Sequence, residues 1–108
     1  MELSEAKDIY SKLLSSRHQS FVNSLVKSAV RYARLRVDWL LSDQEGRNEL
    51  EAERTASHNA FISTCDILSR NMLKSGEDNT WRTQIGSNRK DIGDFACLIH
   101  AVLGINGR

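Results

Sequence analysis

Arg54 and His58 are the two side chains whose types and spacing could do chemistry most directly. They lie four residues apart, and on a helix they continue the stripe formed by Phe61 and Cys65. An arginine can hold a carboxylate or phosphate through two parallel hydrogen bonds, and a histidine adds a titratable donor. The pair therefore predicts either an anion or ligand site at one end of a helical domain, or a partly buried structural pair bonded to neighbouring helices.

A second group of polar and aromatic residues follows further along the chain. Its members are Trp81, Arg82, Arg89, Asp91 and Asp94. Tryptophan and arginine are frequent at protein–protein contacts, but Trp81 could equally cover the core while the arginines pair with nearby carboxylates. We hypothesise that this group joins the first pair in one polar cluster, so that replacing Arg82 or Asp94 destabilises the domain.

Cysteine and histidine chemistry is poorly supported by the spacing. His58 and Cys65 are about 10 Å apart in helical rise, too far for one zinc ion, and Cys97 with His100 has no positioned third group to activate a thiol. The chain has no glycine-rich phosphate loop, no Gly-x-Ser-x-Gly elbow and no His-Glu-x-x-His motif. We therefore expect no metal, no cofactor and no enzymatic activity.

The elements that position these residues are predicted to be helices. Apolar residues recur at helical spacing through nearly the whole chain, without the sustained alternation typical of strands. The pattern predicts four main helices, at about residues 4–15, 18–42, 48–74 and 88–103, and one helical turn within 77–86 that folds Trp81 and Ile85 onto the core. Residues 1–108 should thus form a single all-α domain resembling a four-helix bundle.

Several residues are predicted to begin or end these helices. The expected N-terminal caps are Ser4, Asn48, and Asn88 together with Asp91; the expected turn is at Gly46; the expected helix ends are at Gly76 and Gly104.

Composition is consistent with one soluble globular domain. Of 108 residues, 40% are hydrophobic and 27% charged, proline is absent and the net charge is +1, so disorder and broad attraction to nucleic acid or anionic lipid are not expected. The first residues lack the basic start and apolar run of a secretory signal, and no stretch is apolar enough to span a bilayer. We expect a cytoplasmic protein with free thiols.

The second predicted helix is apolar over about half its circumference. Its expected core stripe is Val22, Leu25, Val26, Ala29, Ala33, Val37 and Leu40. Phe21, Tyr32 and Trp39 widen this stripe, and exposed apolar surface on a small chain predicts a partner, most simply a second copy in a homodimer. Gly93 in the last helix predicts close approach of another helix or a large side chain, inside the chain or across the dimer.

The opposite face of the same helix is basic. Lys27, Arg31 and Arg34 could lie along a phosphate backbone, or form a solvated face in which Arg34 pairs with Asp38.

A series of segments in the C-terminal half has a recognisable order. It includes His58-Asn59-Ala60-Phe61-Ile62, Asp66-Ile67-Leu68-Ser69-Arg70, Trp81-Arg82 and Arg89-Lys90-Asp91-Ile92-Gly93-Asp94-Phe95-Ala96-Cys97. Over about residues 54–108 the chain resembles a small bacterial family of all-helical proteins with no assigned function. The resemblance implies the fold class and no activity, cofactor or binding residue.

The sequence thus predicts a non-enzymatic binding or regulatory module that acts through protein–protein interaction and self-associates. Two alternatives stay open. One is a nucleic-acid-binding accessory protein that uses Lys27, Arg31 and Arg34. The other is a small-anion site or enzyme around Arg54 and His58.

Overall fold

The computed structural model describes residues 1–106, with side chains described for residues 1–104. Within that part of the chain there are five helices and no strand: α1 (Leu3–Leu14), α2 (Gln19–Leu41), α3 (Gln44–Lys74), α4 (Thr80–Ile85) and α5 (Arg89–Asn106). The all-α class and the bundle of four main helices with one extra turn are confirmed. The predicted domain range includes residues 107 and 108, which lie outside the described residues. No described helix combines the length and apolar character needed to cross a membrane.

The core forms where the apolar stripes of α1, α2, α3 and α5 meet. Its largest fully buried side chains include Trp81, Phe61 and Phe95, and the two phenylalanine rings lie 6.1 Å apart. The predicted stripe of α3, which is Phe61, Cys65, Leu68 and Met72, is entirely buried. Trp81 and Ile85 of α4 also pack onto the core as expected, because α4 is too short to bury anything alone.

Two of the predicted helix boundaries are confirmed by their hydrogen bonds. Gly76 has a positive φ of 79° and the following amide of Glu77 bonds to the Met72 carbonyl at 2.8 Å, which ends α3 in a left-handed cap. At the start of α5, Asn88 Oδ1 accepts from the backbone N–H of Asp91 at 2.8 Å. Asp91 Oδ2 in turn accepts from the Asn88 side-chain amide.

Four expected boundaries are wrong. Helix α3 begins at Gln44, because the Asp43 carboxylate accepts from the Gly46 amide at 2.9 Å, so Gly46 is helical and Asn48 caps nothing. Ser4 lies inside α1, whose N-cap is Glu2. Residue 104, another expected glycine stop, also lies inside its helix, α5.

The connected ends of α2 and α3 extend beyond the rest of the bundle. We call this hairpin, residues 34–56, the arm; no residue in it is buried, although all of it is described. Val37 and Leu40 are 50% and 54% exposed, so their expected place in the core is wrong, and Leu41 is 81% exposed. The physical reason is length: α5 begins at Arg89, so it reaches Arg36 at the base of the arm but leaves Val37, Leu40 and Leu41 exposed.

Candidate functional site

A cleft of about 580 Å³ lies where the arm meets the N-terminal end of α5. Its walls come from three helices, because α2 and α3 continue past the point where α5 begins. The lining residues are Tyr32, Arg36, Trp39, Leu40, Glu51, Arg54, Thr55, His58, Asn59, Arg89 and Lys90. Basic side chains therefore come together here from all three helices.

The cleft has more cationic side chains than carboxylates among the described residues. Arg36 Nη1 and Lys90 Nζ both bind Asp94, at 2.9 and 3.0 Å, and Arg54 Nη2 lies 3.1 Å from Glu51 Oε1. Burial raises the pKa of Asp94, but the hydrogen bonds from Lys90 and Arg36 outweigh it and hold this pKa below its ordinary value.

Arg89 adds a fourth cation that has no carboxylate partner among the described residues. Its Nη1 donates instead to the neutral side chain of Asn59, at 2.9 Å. Arg89 and Lys90 are also the first two residues of α5, so the positive end of that helix dipole lies beside the cleft. Four described cations thus face two carboxylates, and a surplus of two positive charges remains.

His58 lies in the wall of this cationic cleft and is almost completely buried. Only 6% of the residue is exposed, and its ring stacks on Tyr32 with centroids 4.8 Å apart. Burial lowers the pKa of His58, the positive charges of Arg89, Arg54 and Arg36 lower it further, and the nearby backbone of Arg89 only partly offsets them. His58 is therefore neutral at pH 7.

Three buried nitrogens in the cleft wall lack a hydrogen-bond partner among the described residues: Trp39 Nε1, Arg54 Nε and His58 Nε2. Leaving such a group unsatisfied costs about 1–3 kcal/mol. Ser57 Oγ and Trp81 Nε1 share this condition, but both residues are fully buried and neither lines the cleft. The cleft wall thus concentrates unsatisfied nitrogen atoms where the charge surplus also lies.

Trp39 connects the two helices of the arm at the outer edge of the cleft. The guanidinium carbons of Arg47 and Arg54 lie 4.4 and 4.6 Å from its ring centroid, within the range of cation–π attraction. Arg47 also donates to the backbone carbonyls of Trp39 and Leu40, which occupies acceptors at the end of α2. These contacts place Arg54 in the cleft wall.

The single polar cluster expected from the sequence is divided in the structure. Arg54, His58 and Arg89 share the cleft, and Asp94 is connected to them through Arg36 and Lys90. The other members, Trp81 and Arg82 of α4 and Asp91 of α5, do not line the cleft.

The three members outside the cleft have structural contacts. Trp81 is fully buried in the core, and Asp91 belongs to the cap of α5. Arg82 Nε lies 2.8 Å from Asp66 Oδ1, and its Nη1 donates to the Gly86 carbonyl at 2.8 Å. The expectation that these three residues join Arg54 and His58 is therefore wrong.

Sequence reasoning missed Arg36 and Lys90 as parts of the site. Lys90 was noted only within a motif, and Arg36 was not singled out. The available signal for Arg36 was its position one helical turn after Tyr32, at the edge of the apolar arc of α2. An arginine at such an edge reaches the rim of a core.

The aromatic residues expected at a dimer interface lie mostly within the protomer. Tyr32 is only 4% exposed and Phe21 and Trp39 are half-buried, so the expectation of three exposed aromatics is wrong. Gly93 faces Tyr32: a Cβ added there would lie 2.9 Å from Tyr32 Oη. The close approach predicted for Gly93 is thus present inside the chain, with Tyr32 as the neighbour.

The basic face of α2 is exposed and apart from the cleft. Lys27 and Arg34 are exposed, and Arg31 is 3.7 Å from Glu53 of α3. None of the three lines the cleft among the side chains described.

The thiols are poor nucleophiles in this environment. Burial raises the pKa of Cys65 to about 12. Burial also raises the pKa of Cys97, although Arg36 Nη1 lies 3.6 Å from its sulfur and acts in the opposite direction. In the described part of the chain, no three His, Cys, Asp or Glu side chains are grouped closely enough to hold a metal ion. The chemistry that the cleft can perform is the binding of an oxyanion by guanidinium, ammonium and imidazole groups.

Comparison of the chain with protein-family models, with curated proteins and with solved structures gave no match. The resemblance to a small bacterial family therefore stays a prediction.

Proposed function

We propose that the protein is a non-enzymatic binding module that recognises an anionic group in the cleft between the arm and α5. The observation that supports this most directly is the convergence of Arg36, Arg54, Arg89 and Lys90 around a buried, neutral His58, with two carboxylates among the described residues to balance them. Like charges held this close repel one another, and a bound anion relieves that repulsion.

Guanidinium groups give the cleft its chemical preference. Arginine presents a planar set of N–H donors that matches two oxygens of a carboxylate, sulfate or phosphate at once. The positive end of α5 acts in the same direction, since anions are stabilised at helix N-termini. Arg54 Nε and His58 Nε2 have no partner among the described residues. They could form further hydrogen bonds to a ligand if these side chains rotate towards it.

The test is thermal unfolding with increasing sodium sulfate at a constant ionic strength maintained with sodium chloride. Arg89→Gln/Lys90→Gln removes two exposed cations from the cleft, and Lys27→Gln/Arg34→Gln removes two exposed cations from the other face of α2. A ligand that binds only the folded state raises Tm. We expect the wild type and the α2 variant to gain Tm with sulfate, and the cleft variant to gain less than about half as much. Equal gains in both variants would reduce the sulfate effect to general salt exclusion and contradict the proposal.

Self-association is a second candidate, favoured by the exposed apolar end of the arm. Val37, Leu40 and Leu41 are each at least 50% exposed, and all three lie in the last five residues of α2. Sedimentation equilibrium of the wild type should show a dimer, and Leu40→Gln/Leu41→Gln should be monomeric. A wild type that stays monomeric at the highest attainable concentration would rule this candidate out.

Binding of nucleic acid through Lys27, Arg31 and Arg34 remains a prediction. The Lys27→Gln/Arg34→Gln variant tests it too, because it should lose a salt-dependent interaction with labelled DNA or RNA if the basic face of α2 binds a phosphate backbone.

A further inference from the structure

The charge balance of the cleft narrows the class of anion. Arg36, Arg54, Arg89 and Lys90 exceed the carboxylates of Glu51 and Asp94 by two charges. A monoanion leaves half of this surplus unbalanced, whereas a dianion neutralises it. A phosphate monoester has a charge of about −1.5 to −2 at pH 7 and three terminal oxygens, while an internal phosphodiester has one charge.

The hydrogen-bonding capacity of the cleft also favours a group with several acceptor oxygens. His58 is 94% buried by residue area, lines the cleft, and has no partner for Nε2 among described atoms. Arg54 Nε also has no partner there, and among the described residues the Arg89 side chain is bonded only to the neutral amide oxygen of Asn59. A carboxylate has two oxygens to share among these groups, and a phosphoryl group has three.

The size of the cleft favours a small molecule that includes more than the phosphoryl group. Its volume of about 580 Å³ lies within the range of roughly 300–1,000 Å³ typical of small-molecule sites. Tyr32, Trp39 and Leu40 contribute the less polar part of the wall. There is therefore room, beside the cations, for the organic part of an ester.

We propose that the ligand of the cleft is a small phosphate monoester, whose dianionic group is bound by Arg36, Arg54, Arg89 and Lys90 with His58 as an additional hydrogen-bonding group. This rests on the proposed function, because it specifies the anion that the same cleft binds. It goes beyond that function because it predicts that the cleft binds a terminal phosphate more tightly than a phosphodiester or a carboxylate.

The experiment is isothermal titration of the full chain at pH 7.5 with three probes of similar size. Phenyl phosphate is a dianion, methyl phenyl phosphate is the corresponding monoanionic diester, and benzoate is a carboxylate. We expect phenyl phosphate to bind at least about tenfold more tightly than either monoanion, because one more charge is neutralised at contact distance. The Arg89→Gln/Lys90→Gln variant should lose most of this preference, and the Lys27→Gln/Arg34→Gln variant should retain it.

Each other outcome overturns the inference in a recognisable way. Equal affinity for the ester and the diester would overturn the preference for a dianion and leave anion binding in place. No binding of phenyl phosphate, with sulfate still stabilising the wild type selectively, would overturn the ester class alone. Failure of sulfate as well would remove the proposed function with it.

A final titration distinguishes a small phosphate ester from a phosphorylated peptide or oligonucleotide as the ligand. A phosphoserine peptide and a 5′-phosphorylated oligonucleotide are titrated beside their unphosphorylated forms. If either phosphorylated polymer binds about tenfold more tightly than phenyl phosphate, the small-molecule carrier is overturned. Weaker or equal binding of both supports it.

Discussion

The two tryptophans of the chain lie in regions of opposite character. Trp81 is fully buried in the core, whereas Trp39 lies half-buried at the edge of the cleft that also contains His58. The histidines His18 and His58 differ in a similar way. His18 Nε2 is 2.9 Å from Ser75 Oγ and 3.4 Å from Glu77 Oε2. The corresponding nitrogen of His58 has no partner in the described structure.

The difference shows how the same residue types can serve structure or binding. Around Glu77, donors and acceptors are matched: the carboxylate accepts from Ser16, Ser75 and the backbone of Arg17. Burial raises the pKa of Glu77, but these hydrogen bonds and the nearby His18 hold it below its ordinary value. In the cleft, the cations exceed the carboxylates among the described residues, and this surplus is the basis of the proposed anion binding.

The largest expected effect separates the two tryptophans. Trp81→Ala should cost about 3–5 kcal/mol of unfolding free energy, because it removes a fully buried indole from the core. Trp39→Ala should cost less than about 2 kcal/mol, since Trp39 is half-buried and no residue of the arm is buried. Urea denaturation followed by circular dichroism measures both. Similar losses would show that the arm is as much part of the core as α4 is.

A smaller effect is expected where the cleft wall meets α5. Gly93→Ala should cost about 1–3 kcal/mol, because the new Cβ would lie 2.9 Å from Tyr32 Oη and 3.2 Å from Tyr32 Cε2. Tyr32→Phe removes the hydroxyl and should recover part of this loss in the double variant. If Gly93→Ala leaves the free energy of unfolding unchanged, Tyr32 and the His58 ring stacked on it can move easily. The cleft would then not be preformed.

Arg82 tests the division of the polar cluster. Arg82→Met should cost about 1–2 kcal/mol, since it breaks the contacts with Asp66 and the Gly86 carbonyl. The gain in Tm with sulfate should be the same as in the wild type, because Arg82 does not line the cleft. If this variant keeps its fold but no longer gains Tm with sulfate, Arg82 contributes to anion binding after all.

The smallest effect concerns pH. The pKa of His58 is lowered in the folded protein by burial and by Arg89, Arg54 and Arg36, so the unfolded chain binds more protons in this range. Stability should therefore fall as pH drops below about 6.5, the pKa of an unperturbed histidine, until the folded pKa is passed.

The pH effect is measured by urea denaturation at pH 7.5 and pH 6.0, in the wild type and in His58→Gln. The variant should lose less stability than the wild type over this interval, because it has no imidazole to protonate at this position. Equal losses would show that His58 is not the group responsible.

Sequence periodicity predicted features that form within one helix better than it predicted the cleft. The stripe from Phe61 to Met72 and the cap at Asn88 depend on neighbours within one helix, and both are confirmed. Val37 and Leu40 continue the same periodic stripe in α2, yet they are exposed. Periodicity tells which face of a helix is apolar, but not where the helix that should cover that face begins.

The site itself was predicted only in part. Arg54 and His58 were found because polar residues replaced apolar ones on a core stripe, and Arg89 was found in a separate motif. Their junction with Arg36 depends on the crossing of α2 and α5, which local spacing does not determine. Trp81 and Arg82 precede the same motif along the chain, but Trp81 packs in the core and Arg82 bonds to Asp66, so neither lines the cleft.

The most direct measurement is a sulfate titration of the full chain followed through the imidazole resonances in carbon–proton correlation spectra. If the cleft binds the anion, the His58 signals should shift to a plateau, while those of His18 and of the exposed His100 should stay almost unchanged. Unchanged His58 signals, or an equal shift of all three histidines, would contradict binding in the cleft.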